Sequence, residues 1–130
     1  MYLLDTNICI YIIKKHPEIV SKFDQFKPSD IKMSSIVLSE LEYGAAKSKK
    51  SEQNRNALRN FASSFDIIPF DARDTELFGI IRAELERQGE PIGPYDLQIA
   101  AQAVSRKFTL VTNNVGEFKR IRNLSIENWA

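Results

Sequence analysis

The chain has 130 residues, of which 43% are hydrophobic, and 18 basic side chains nearly balance 17 acidic ones for a net charge of +1. That length and apolar content suit a single domain over residues 1–130 with its own core, and the near-neutral charge excludes a protein held to nucleic acid by bulk charge alone. One cysteine, Cys9, and one histidine, His16, exclude an internal disulfide and a cysteine–histidine metal finger, so a reducing, cytoplasmic setting is expected.

Tyr2 to Leu4 reads as a short buried strand that meets an acid at Asp5, too soon for a secretory apolar region, and no later stretch approaches the length of a spanning helix. After Asp5-Thr6-Asn7, the apolar run from Ile8 to Ile13 fits either a continued strand or a packed helix, with the Thr and Asn favouring a helix start. A helix is predicted from about Pro17 to Phe26, broken by Lys27-Pro28-Ser29-Asp30, and Ile31 to Met33 reads as a second strand.

Ser34 and Ser35 are good N-caps for a helix to about Lys47, whose Val37, Leu38, Leu41 and Ala45 repeat at helical spacing and which carries Glu40. Glu52 to Phe65 is amphipathic, Asp66 to Phe70 is a short strand candidate, and Asp71 to Gln88 is the longest helical pattern, with Gly89 placed to end it. Pro91 to Tyr95 reads as a rigid loop, and Asp96 falls in the first turn of an alanine-rich helix to Val104. Phe108 to Thr112 is β-branched and apolar, hence a central strand ended by Asn113-Asn114 before a short helix around Glu117 and Phe118. Leu124 to Trp129 is an edge-strand candidate. Strands alternating with helices imply an α/β fold with a mostly parallel sheet.

In such sheets ligands gather at the carboxyl ends of strands, near the point where strand order reverses. Asp5 and Asn113/Asn114 stand at strand ends, and Asp96 and Glu40 would enter from helices. Each acid also has a plain structural explanation: Asp5 and Asp96 as helix caps, Glu40 as a solvated helix residue. Brought together without a cation the carboxylates would repel, and a hard divalent ion removes that conflict.

Leu4-Asp5-Thr6-Asn7, the segment from Ser35 through Ser39-Glu40-Leu41 to Gly44, Ile92-Gly93-Pro94-Tyr95-Asp96 with Ile99-Ala100-Ala101, and Thr112-Asn113-Asn114 with Glu117-Phe118 follow one another at fitting separations. With the closing Ile126-Glu127-Asn128-Trp129, this sequence resembles the PIN-domain ribonucleases along essentially its whole length, and within them the VapC-type toxins of bacterial type II toxin–antitoxin pairs.

The resemblance implies an α/β/α sandwich with about five strands and an acidic pocket. It assigns Asp5, Glu40 and Asp96 to the core acids, with Asp5 and Asp96 as direct metal ligands. Many relatives carry an aspartate after the strand that ends here at Thr112, whereas this chain has Asn113 and Asn114; the fourth acidic role is therefore given to Glu117, with the asparagines, Thr6 and Asn7 in support. The implied chemistry is hydrolysis of RNA phosphodiester bonds, in transfer RNA, with Mg²⁺ or Mn²⁺ as cofactor and Glu40 positioning or deprotonating the attacking water. The implied partners are a separate VapB-like antitoxin that places a basic side chain in the pocket, the RNA substrate, and a second copy in a homodimer.

Lys47, Lys49, Lys50, Arg55 and Arg59 form one basic stretch and Lys119, Arg120 and Arg122 another, either serving as a solvated face or holding RNA phosphates. His16 in its charged segment reads as a surface residue and Cys9 among isoleucines as a small buried hydrophobe. Tyr95 reads as a base-stacking ring or as packing over its loop, and Trp129 as the seal of a sheet edge. Two other functions were weighed. A PIN-like RNA-binding module without catalysis is motivated by the asparagines. An aspartate-nucleophile phosphatase expects a second aspartate two residues after Asp5, where this chain has Asn7.

Overall fold

The structure is a computed structural model that describes residues 1–129, so position 130 of the expected span lies outside it. Strand β1 (Tyr2–Leu4) leads to α1 (Thr6–Ile13) and α2 (Pro17–Phe23), then through a single 3-10 turn (Pro28–Asp30) to β2 (Ile31–Ser34). Helices α3 (Ser35–Lys47) and α4 (Ser51–Ala62) precede β3 (Asp66–Ile68), and α5 (Ala72–Arg87) and α6 (Pro94–Arg106) precede β4 (Thr109–Val111). A short α7 (Val115–Phe118) and β5 (Ile126–Glu127) complete the described elements.

The five strands form one sheet in the order β3-β2-β1-β4-β5, and every neighbouring pair is parallel. The sheet is thus wholly parallel rather than mostly so, as the unbroken strand–helix alternation requires. From β1 the chain steps outward through β2 to β3, then crosses to the far side of β1 for β4 and β5. Right-handed crossovers that travel in opposite directions place their helices on opposite faces, which gives the α/β/α layering. The reversal falls between β1 and β4, so their carboxyl ends flank the crevice in which such sheets bind ligands.

Burial follows from sequence pattern. Leu3 and Leu4 of β1, Met33 of β2, and Leu110 and Val111 of β4 are fully buried, as strands covered on both faces must be. Ile31 of β2 is buried as well, and Ile8, Ile19, Ile99 and Phe118, on the helices, cover the sheet.

One open choice is settled as the helix that Thr6 and Asn7 favour, and several boundaries differ from expectation. Ile8–Ile13 is helical, because the Asp5 side chain caps the helix by accepting the Thr6 backbone N–H. The second helix ends at Phe23, since the coming Pro28 disfavours helix and the chain tightens through Gln25 N–H to Lys22 O and Phe26 N–H to Phe23 O. Pro94 and Tyr95 are not loop: Gly93 is the N-cap and Pro94 opens α6 at the position where its missing N–H costs nothing. The edge strand is only Ile126–Glu127, short enough to offer little unpaired backbone.

Candidate active site

Asp5 follows β1 at the reversal point, and its backbone N–H continues the sheet by donating to Val111 O at 2.9 Å. Its carboxylate is 5% exposed. Oδ1 accepts the Thr6 N–H at 2.7 Å and Oδ2 accepts the Thr112 hydroxyl at 2.7 Å. Thr112, fully buried at the end of β4, also takes the Asn114 N–H on its hydroxyl at 3.0 Å. The two central strands therefore fix one carboxylate between them. Capping α1 and serving as a site acid are compatible roles for Asp5, since each oxygen has a single donor.

Glu40 comes from the second turn of α3 and is tied to the same corner, its Oε1 accepting the Thr6 hydroxyl at 3.1 Å. Asp96 lies in the first turn of α6, where the helix's positive end favours a negative charge. Glu117 lies on α7 and accepts a hydrogen bond from the Asn114 side-chain amide at 3.1 Å. Four acids thus arrive from the end of β1, from α3, from α6 and from α7.

Their mutual field is visible in the proton affinities of Asp96 and Asp5. Asp96 is pushed up to about 6, first by burial, then by the charges of Asp5, Glu117 and Glu40, and last by a hydrogen bond with Glu117 that favours the protonated acid. Asp5 is also raised; burial outweighs the lowering by Thr112 and Thr6, and Glu117 adds to the rise. None of the four forms an ion pair among the described residues. As they stand, no three His, Cys, Asp or Glu side chains among the described residues are gathered closely enough to hold an ion, so ligation requires side-chain adjustment within the cluster. The donor chemistry fits a hard divalent cation: oxygen donors only, anionic, partly desolvated and without a protein cation to neutralise them.

The supporting residues divide. Thr6 joins Asp5 to Glu40, and Asn114 orients Glu117. Asn113 instead donates to the Tyr11 hydroxyl at 3.3 Å, and Asn7 is exposed with no hydrogen bond to the acids. Sequence reasoning passed over Thr112 and Tyr11. Thr112 resembled an ordinary strand residue, although a threonine at a strand end followed by two asparagines marks a turn whose hydroxyl needs a partner.

Cys9 is fully buried and burial pushes its thiol up, which leaves it inert. His16 is exposed. Trp129 is 4% exposed and stacks on Phe26 at 5.1 Å, so it seals the sheet edge beside β5. Tyr95 is 59% exposed and does not pack over the preceding loop. In the second basic stretch Arg120 is engaged by Glu90 at 3.1 Å and Arg122 by Glu84 at 3.2 Å. No helix among the described residues is long and apolar enough to cross a membrane.

The PIN domain family model matches residues 2–124. The chain is 51% identical to "Ribonuclease VapC2" of Rickettsia felis, over 99% of this chain and 98% of that one. It is 43% identical to "tRNA(fMet)-specific endonuclease VapC" of Shigella flexneri, again over 99% and 98%. Among solved structures, the complex of VapBC2 from Rickettsia felis bound to a DNA fragment from their promoter contains a chain that superimposes with a TM-score of 0.93 at 49% identity, over 99% of this chain and 98% of that one.

Proposed function

This chain belongs to the PIN-domain family, and from that premise we propose that it is a toxin of the VapC type, an endoribonuclease that cuts transfer RNA and is restrained by a separate VapB-like antitoxin. The observation that carries this reading is the convergence of four carboxylates at the strand reversal, none of them ion-paired among the described residues. Such a cluster serves no structural purpose that a threonine or asparagine would not serve with less repulsion. It suits a cation and a phosphodiester.

PIN-domain ribonucleases depend on a divalent metal, and Mg²⁺ is our assignment here, with Mn²⁺ as a substitute. Asp5 and Asp96 would hold it, with Glu117 and Asn114 alongside. When bound, the ion supplies Lewis acidity toward the phosphate and a lowered pKa for nearby water. The chain's own residues do the rest. Thr6 and Thr112 hold the Asp5 carboxylate in one orientation by donating to its two oxygens or to its neighbour Glu40. Glu40, fixed through Oε1, keeps Oε2 to position the attacking water and accept its proton. Asn114 steadies Glu117 without adding charge.

The specificity of the Shigella flexneri relative for tRNA(fMet) makes initiator transfer RNA the first substrate to test. The antitoxin's inhibitory group would be an arginine or lysine placed among the unpaired acids, a charge-assisted contact the cluster is made for. We assign the toxin to the cytoplasm and to a homodimer within the larger antitoxin complex.

The test is cleavage of purified tRNA(fMet) and of total transfer RNA by the wild-type protein and by Asp5→Asn and Asp96→Asn, each with Mg²⁺, Mn²⁺ or EDTA. Discrete fragments that need metal and vanish in both variants are expected. Equal cutting by wild type and variants would refute the assignment of the site, and binding without cutting would favour an RNA-binding module that lacks catalysis.

A further inference from the structure

The structure separates the two basic stretches. Arg120 and Arg122 are spent on Glu90 and Glu84. Lys47, Lys49, Lys50, Arg55 and Arg59 form no ion pair among the described residues, so their charge is available to a polyanion. This free cluster begins at the end of α3, the helix that carries Glu40.

Glu40, Tyr43 and Lys47 are spaced so that they fall within about 60° of one another around α3 and span about 10 Å along it. Tyr43 is 66% exposed, the highest value among the exposed large hydrophobic residues. An isolated exposed tyrosine needs no explanation, but this one lies between a site acid and a lysine whose Nζ stands 4.9 Å from its ring centroid. Exposed aromatic rings beside unpaired cations are what single-stranded nucleic acid uses for binding: bases stack on the ring and phosphates meet the cation.

We infer that this face of α3 is a track for RNA leading away from the acidic pocket, with a nucleobase stacked on Tyr43 and a neighbouring phosphate held by Lys47. The inference rests on the ribonuclease reading and deepens it, by assigning the residues that grip the strand beside the bond being cut. The lysine lies over the ring, and the residue stays exposed enough to meet a base. Lys49 and Lys50, both exposed, extend the path beyond the helix end. The neutral overall charge is then no obstacle, because attraction is local to the strip rather than spread over the molecule.

The experiment measures equilibrium binding of end-labelled transfer RNA, at several salt concentrations, in an Asp5→Asn background so that the substrate survives. Tyr43→Ala is expected to weaken binding roughly tenfold while Tyr43→Phe stays within about twofold. Lys47→Ala is expected to lower the slope of log affinity against log salt by about 0.7–0.9. Arg122→Ala, whose side chain is already paired, serves as the control and leaves both unchanged. Background-level affinity and slope in Tyr43→Ala and Lys47→Ala would overturn the track while leaving the ribonuclease reading intact. Equal losses in Tyr43→Phe and Tyr43→Ala would overturn the stacking role. Binding that responds as expected, in a wild-type protein that cuts nothing, would uphold the track and defeat the nuclease. No transfer RNA binding by the background protein would defeat the track and the substrate together. Because Tyr43 and Lys47 are both exposed, variants at either position are expected to fold as wild type does, and circular dichroism of each checks this.

Discussion

Asp96 is the carboxyl on which burial and then the charges of Asp5, Glu117 and Glu40 act together. Its carboxyl is pushed up to about 6 in the folded protein, so the metal-free native state binds a proton that the unfolded chain releases above the ordinary aspartate range. Its contribution to stability is therefore present at acidic pH and lost as pH rises toward and through 6. Asp96→Asn removes the repulsion. Metal-free Asp96→Asn is expected to be more stable than wild type at pH 7 by on the order of 1 kcal/mol, with the gain vanishing near pH 4, while activity is abolished. Thermal unfolding at the two pH values checks this, and a variant less stable than wild type at pH 7 would contradict it. Thr112 makes the opposite kind of contribution, since its buried hydroxyl both donates to Asp5 and accepts from Asn114. Thr112→Val should cost about 1–3 kcal/mol and most of the cleavage activity, and Thr112→Ser should restore both in urea unfolding and cleavage assays. Asp5, Glu40, Asp96 and Glu117 were singled out by the motif blocks that carry the family resemblance, since Asp5, Glu40 and Asp96 each also read singly as a helix cap or a solvated helix residue. Thr112 was not, because a threonine ending a β-branched strand has its own local explanation.

At the scale of elements, the acids are held in register by contacts made well away from them. Ser34, the N-cap of α3, and Gln102, in the middle of α6, are both fully buried and hydrogen-bonded to each other through the Ser34 hydroxyl and the Gln102 side-chain oxygen. Gln102 also donates to Ile68 O at the end of β3, at 3.2 Å. The helix that carries Asp96 is thereby tied to the junction from which the helix of Glu40 starts. Gln102→Leu keeps volume but strands these partners, so it should lower stability by about 1–3 kcal/mol. Urea unfolding at neutral pH measures this, and an unchanged midpoint would show the bond to be dispensable. The helices themselves were readable from apolar spacing and capping residues. Their ends were less so: Pro94 broke no helix because it stood at the first position, and the tight turn through Phe26 came from a proline downstream of it. The buried serine–glutamine pair has no local signature, since it joins residues far apart in sequence.

Over the whole molecule, function follows from topology. The alternation of strands and helices announced a parallel sheet, and the expected five strands are those found. Strand order, and with it the reversal between β1 and β4, depends on long-range pairing that no single segment specifies. That reversal places Asp5, whose carboxylate is held by Thr6 at the start of α1 and by Thr112 at the end of β4, at the mouth of the crevice, and lets α3, α6 and α7 each contribute one acid. The net charge of +1 conceals an uneven surface: an anionic pocket, a basic strip at the end of α3 and along α4 that forms no ion pair among the described residues, and a second basic stretch whose two arginines are engaged by Glu90 and Glu84. The most direct test of the central claim is a calorimetric titration of Mn²⁺ into the metal-free protein at pH 5 and pH 7.5, for wild type, Asp5→Asn and Asp96→Asn. Binding by wild type that weakens sharply at the lower pH, where protons compete for Asp96 and Asp5, and that falls at least tenfold in both variants is the result predicted. Binding that is absent in wild type, or equal in all three proteins, would contradict the assignment of these carboxylates to a metal-dependent nuclease site.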